Sequence, residues 1–69
     1  MNNKKILSQR ELEVLKLMKD VLTNYEIANR LHISYHTVKA NADSIYQKLH
    51  CRNKLEAVLI GLKEGYLEL

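Results

Sequence analysis

The sequence predicts an all-α fold, a compact four-helix domain containing a helix-turn-helix. Three observations lead there. No proline interrupts the 69 residues, and the chain is rich in Leu, Lys and Glu, which lose little rotamer freedom in a helix. A Ser or Thr followed three residues later by Glu, the pattern of a capping box, occurs at two places fifteen residues apart. Apolar residues recur at spacings of three and four and do not alternate as they would in a strand. The predicted helices cover about residues 9–20, 24–31, 35–49 and 54–64.

A chain this short builds one core, so residues 7–69 are read as a single domain behind a short basic arm at 1–6 that carries Lys4 and Lys5. Apolar residues make up 46% and charged residues 28%, the balance of a folding domain and not of a disordered tail. Without Phe or Trp, the core must come from Leu, Ile, Val, Ala and Met, with tyrosines at its edges.

In the first helix, Ser8 is placed to cap and Glu11 to reach back to the cap's own N–H, while Leu12, Val14, Leu15, Met18 and Leu22 form the apolar side. Thr23 and Glu26 repeat the box, and Ile27 with Leu31 gives a short second helix its i, i+4 apolar pair. The pattern breaks at His32-Ile33, and Ser34 caps a third helix through the N–H of Thr37. Val38, Ala42, Ile45 and Leu49 then fall on one narrow stripe that faces the core. Opposite lie His36, Lys39, Ala40, Asp43 and Gln47, with Thr37, Asn41, Ser44 and Lys48 along one flank and Ser44 read as a surface neighbour of Asp43. After a connection at His50-Cys51-Arg52-Asn53, a fourth helix should end near Gly65. Its apolar residues spread over roughly 200° of the wheel, wider than the ~100° that packing on one core requires, so part of that face is left over.

Several function classes are disfavoured. The three histidines and Cys51 show no zinc-ligand spacing, so no metal is expected. No phosphate loop, nucleophile elbow or carboxylate pair is present, so neither catalysis nor a cofactor is expected. One cysteine cannot form an internal disulfide, and no long apolar run suggests a leader or a membrane span, which together point to the cytoplasm. The net charge of +3 suits a polyanionic partner without identifying one.

The window from Glu26 to Leu49 is more specific. Small Ala28 sits where a second helix must come close, Ile27, Leu31, Ile33 and Val38 are aliphatic, and Val38 follows Ala28 by ten residues, the spacing of a helix-turn-helix. A major groove about 12 Å wide admits one helix with a sealed side and a polar side, and the third helix has both.

The runs Leu7-Ser8-x-Arg10-Glu11-x-Glu13-Val14-Leu15, Glu26-Ile27-Ala28-x-x-Leu31-x-Ile33-Ser34-x-x-Thr37-Val38-Lys39, Ile45-x-x-Lys48-Leu49 and Ala57-Val58 together resemble the LuxR/FixJ/GerE-type helix-turn-helix domain, from Leu7 to Gly65. The resemblance implies a transcriptional regulator that binds double-stranded DNA through its third helix and forms a homodimer through its fourth. Carried over by position, Lys39, Ala40 and Asp43 would face base edges, and Ser34, Thr37 and Lys48 would approach phosphates, with Tyr35 and His36 as further candidates. The fourth-helix contact would use Leu55, Leu59 and Leu62, and RNA polymerase is a further candidate partner. The chain departs from the family at Val21 and Gly61, where glycine and alanine are usual, and at Asn41, His50 and Lys54, in place of a common histidine, glycine and arginine. Asp43 repels phosphates yet can accept from cytosine N4, which bears on base preference.

The sequence fits a stand-alone regulator and the output domain of a longer one alike. Two other readings stay open: a sigma-factor-like promoter-recognition domain, and a protein-interaction module that keeps the fold.

Overall fold

The computed structural model describes residues 6–69, and Lys4 and Lys5 of the basic arm lie outside the described residues. Four helices follow one another, α1 (Gln9–Lys19), α2 (Asn24–Leu31), α3 (Tyr35–Leu49) and α4 (Lys54–Glu64), and there is no strand among the described residues.

The helix starts are built as the sequence predicts. Ser8 Oγ accepts from the Glu11 N–H at 3.1 Å while Glu11 Oε1 accepts from the Ser8 N–H at 2.8 Å. Thr23 and Glu26 repeat the exchange at 3.1 and 2.8 Å, and Ser34 Oγ accepts from the Thr37 N–H at 3.0 Å. The cap of α4 is Asn53, whose Oδ1 accepts from the Glu56 N–H at 2.9 Å. Glu56 Oε1 in turn accepts from the N–H of Arg52, one residue ahead of the cap. Asn followed three residues later by Glu was the signal for it.

The first three helices end alike. Val21, His32 and His50 adopt left-handed backbone with φ of 64°, 58° and 57°. In each case the next residue donates its N–H five residues back: Leu22 to Leu17, Ile33 to Ala28 and Cys51 to Tyr46, at 3.4, 3.0 and 2.9 Å. This is the 6→1 bond of a Schellman motif. It brings Leu22, Ile33 and Cys51 inward, where all three pack against the core. The turn at Val21 also stops α1 at Lys19, one residue short of the predicted end, with Asp20 as its cap.

Val14, Leu15, Ile27, Val38 and Ile45 are fully buried, and Leu7, Met18, Ala28, Ala42, Leu49, Ala57 and Leu67 complete the core. Each fully buried large aliphatic contributes about 1.5–3 kcal/mol relative to exposure. The stripe predicted on α3 is therefore the seam that seals it, and α3 packs on all three other helices. One expectation for α1 is corrected. Leu12 is half-exposed, and the buried residue beside it is Glu11, 6% exposed, because Glu11 meets charged and hydroxyl partners from α3.

The tail after α4 folds back. Leu67 is buried and lies over Gly61, and its N–H donates to the Gly61 carbonyl at 3.0 Å. A Cβ on Gly61 would stand 2.9 Å from Leu67 Cδ1 and 3.2 Å from Leu15 Cδ2. The glycine at position 61 thus makes room for a leucine six residues later.

Candidate nucleic-acid interface

With Val38, Ala42, Ile45 and Leu49 buried, the other side of α3 is left open. Ser34, His36, Thr37, Lys39, Ala40 and Asp43 are exposed, and Tyr35 is half-buried. Apart from Tyr35, these side chains are all exposed and lie on or beside the first turns of α3.

Contacts on this side restrict how they stand. Ser34 Oγ and Thr37 Oγ1 are 2.9 Å apart, so the capping serine also orients the threonine hydroxyl. Asn41 Nδ2 donates to the Thr37 carbonyl at 2.9 Å, which turns that amide back along the helix and away from a reading position. Lys39 Nζ lies 3.8 Å from Asp43 Oδ2, with the two side chains 57% and 62% exposed. An exposed pair this long contributes little to stability and breaks easily. Its effect is local: the acid holds the lysine over the surface and competes with any phosphate for it.

Lys48 stands apart. The resemblance suggests a phosphate contact, but its Nζ donates to Glu11 Oε1 at 2.8 Å and to the Ile6 carbonyl at 3.3 Å. Ser44, expected as a surface neighbour of Asp43, is half-buried and donates its hydroxyl to Glu11 Oε2. With the Ser8 N–H on Oε1, the Glu11 carboxylate accepts from three donors and ties the start of α1 to the last turns of α3. Burial by itself would raise the Glu11 pKa, but the hydrogen bonds from Lys48, Ser44 and Ser8 outweigh it and hold the group down to about 2. Sequence spacing alone could not show these contacts, since Glu11 meets Ser44 and Lys48 across 33 and 37 residues.

Two further sets of side-chain contacts lie on the surface of the helices. The Tyr25 and Tyr35 rings stack with centroids 4.3 Å apart and planes 19° apart, and His36 meets Tyr35 edge-on at 5.7 Å. Arg10 pairs with Glu13 on α1 at 3.1 Å.

On α4, Leu55 is 69% and Leu59 56% exposed, whereas Leu62 is half-buried and packs on the core. Leu55 also lines an apolar groove of about 470 Å³ with Met18, Val21, Leu22 and Val58, flanked by Lys19 and Lys54. Lys54 Nζ reaches the Leu22 carbonyl at 3.3 Å and so pins α4 to the turn before α2. Among the described residues no group of three His, Cys, Asp or Glu is placed to hold a metal ion. Burial pushes the Cys51 thiol pKa up. No described helix is long and apolar enough to cross a membrane.

The chain is similar to known regulators over almost its whole length. It is 40% identical to the transcriptional regulatory protein DegU of Brevibacillus brevis over 63 residues, which is 91% of this chain and 27% of that protein. It is 44% identical to the oxygen regulatory protein NreC of Staphylococcus carnosus over 93% of this chain and 30% of the relative. It thus spans about three-tenths of the length of these relatives. Among solved structures it resembles the response regulator ChrA of a heme-sensing two-component system, with a TM-score of 0.89 and 32% identity, over 96% of this chain and 33% of that one. Residues 5–60 match the family described as bacterial regulatory proteins, luxR family, and with the four helices, the turn and the open side of α3 in place, the chain belongs to that family.

Proposed function

We propose that this chain is the sequence-specific DNA-binding domain of a transcriptional regulator, entering the major groove with the outer side of α3. The observation that carries this is the contrast across one helix: the Val38, Ala42, Ile45 and Leu49 seam is sealed while the Ser34, Thr37, Lys39, Ala40 and Asp43 side is open. Its relatives are named as transcriptional and oxygen regulatory proteins, and the luxR family is one of regulators and not of enzymes. Double-stranded DNA as partner also accounts for the +3 charge, and a chain that binds it would work in the cytoplasm.

Within the open side, Lys39, Ala40 and Asp43 take the base edges, and Ser34 and Thr37 take phosphate. His36 and Tyr35 flank them at the first turn. Lys48 is assigned to holding α3 on α1 through Glu11 and not to phosphate. Two copies pair through Leu55 and Leu59, whose exposure is otherwise unexplained, with Leu62 supporting them from the core. That pairing sets two α3 helices on half-sites about one helical turn, ~34 Å, apart, and RNA polymerase is the partner through which bound dimers would act.

The test is selection of bound sequences from a random DNA pool, followed by titration across salt concentrations. A two-fold repeat and a log K that falls steeply with log salt, at about −0.9 per neutralised phosphate, are expected. A flat salt response would replace DNA with a protein partner. Lys39→Ala should weaken binding to the selected site by about 1–3 kcal/mol and relax preference at one base position. Unchanged affinity and preference would remove Lys39 from the reading set.

A further inference from the structure

The four tyrosines divide into two kinds. Tyr46 and Tyr66 pack against the hydrophobic core, whereas Tyr25 and Tyr35 lie outside it and stack on each other. Tyr25 is 69% exposed, and its neighbours Thr23, Glu26, Ser34 and His36 are exposed as well. Core formation therefore does not account for the stack.

What the stack does is geometric. Tyr35 opens α3 and Tyr25 lies in the first turn of α2, so the paired rings bridge the two helices of the helix-turn-helix across ten residues. An aromatic pair at this separation gains on the order of 1 kcal/mol beyond its buried area. That is enough to hold a ring that would otherwise sample several rotamers. His36 also meets Tyr35 edge-on. The phenol of Tyr25 is thus an oriented neutral donor on the margin of the open α3 side, and a phenolic O–H is a recognised partner of DNA phosphate oxygens. The nearest carboxylate in sequence, Glu26, is already held by the Thr23 N–H.

We infer that Tyr25 is a DNA-backbone contact and positioning residue: its hydroxyl donates to a phosphate bordering the groove that α3 occupies, and Tyr35 is the platform that aims it. This rests on the DNA reading above. It extends the interface from α3 onto α2, and it adds a contact that carries no charge and reads no base.

The discriminating variant is Tyr25→Phe, which keeps the stack and removes only the hydroxyl. Binding is measured on the site selected from the random pool and on a random-sequence duplex, each across a salt series. The expected result is a loss of roughly three- to tenfold on both duplexes, the scale of one neutral hydrogen bond, with the salt slope and base preference unchanged. Tyr25→Ala, which also frees Tyr35, should lose more. The ring-proton shifts of Tyr35 should keep their stacked values in Tyr25→Phe and lose them in Tyr25→Ala, while the melting temperature moves little in Tyr25→Phe and falls by roughly 4–8 °C in Tyr25→Ala. Wild-type chain that binds with a steep salt slope alongside Tyr25→Phe of equal affinity overturns the contact and leaves the DNA reading intact. A loss confined to the selected site overturns the phosphate assignment, because it would mean that the hydroxyl reads a base. A wild-type chain with a flat salt response overturns the DNA reading and this contact with it.

Discussion

Helix α1 is fastened on two sides by opposite kinds of chemistry. Towards α3 its start is held by a buried carboxylate with three donors, a junction that tolerates only one arrangement because each bond has a direction. Towards α4 and the tail it is held by Leu15, Gly61 and Leu67, a junction defined by shape, in which a glycine leaves the volume that a leucine fills. The directional junction adds to the apolar seam in fixing the helix proposed to read DNA. The shape-defined junction lies under the helix that exposes Leu55 and Leu59. The polar cluster thus specifies orientation where orientation matters most, and plain packing suffices elsewhere.

The largest effect should come from breaking the directional side. Glu11→Gln removes the charge opposite Lys48, whose side chain is only 25% exposed, and should destabilise the domain by about 2–3 kcal/mol in chemical denaturation. The pH dependence follows from the same group. The Glu11 pKa falls from 4.5 to about 2 on folding, so its contribution is fully present above pH 4.5 and is lost as pH falls from there towards 2. The wild-type chain should therefore lose about 3 kcal/mol from this group across that window, and Glu11→Gln should lack this part of the acid limb. An unchanged acid limb in the variant would show that Glu11 contributes no net stability.

Much of this comparison was legible in the sequence on one side only. The capping boxes at Ser8 and Thr23, the turn at His32-Ile33 and the α3 seam are local patterns, and local patterns survive folding. A capping glutamate such as Glu11 can also orient a basic side chain, but the sequence does not say which one, because the cap looks the same whether or not Lys48 arrives from 37 residues away. Ser44 was misplaced for the same reason: its position on a helical wheel says which flank it occupies but not that α1 covers that flank. On the proposed reading surface, Lys39 and Thr37 stand out through their spacing from Ala28 and Val38. Tyr25 does not, since stacking between exposed rings on different helices leaves no periodic trace.

The shape-defined side is sharpened by a pair of substitutions. Gly61→Ala alone should destabilise by about 1 kcal/mol: overpacking against Leu67 and Leu15 costs about 1–3 kcal/mol, and the better helix propensity of alanine returns about 1. Leu67→Ala should cost about 2–4 kcal/mol by itself. In the Leu67→Ala background the collision with the Leu67 side chain is gone, and Gly61→Ala should switch sign and stabilise by several tenths of a kcal/mol. Melting temperatures of the four chains give the cycle, and additive effects would show that Gly61 and Leu67 are not coupled.

The smallest expected effect concerns the turn that joins the two sides. Val21 is a β-branched residue at φ 64° and is 87% exposed, so it occupies a left-handed position without recovering the cost through packing. A left-handed residue other than glycine costs roughly 1–2 kcal/mol, and the extra unfolded-state freedom of glycine offsets about 0.5–1 of that. Val21→Gly should therefore stabilise by about 0.5–1 kcal/mol, a rise in melting temperature of roughly 2–8 °C for a chain of this size. His50→Gly provides the internal comparison. It has the same backbone, with φ 57°, but no branch at Cβ, and histidine enters this region more readily than valine, so the gain should be smaller. If the two substitutions gave equal gains, the branch would not be the source of strain at Val21. If Val21→Gly gave none, the left-handed backbone at Val21 would carry no net strain.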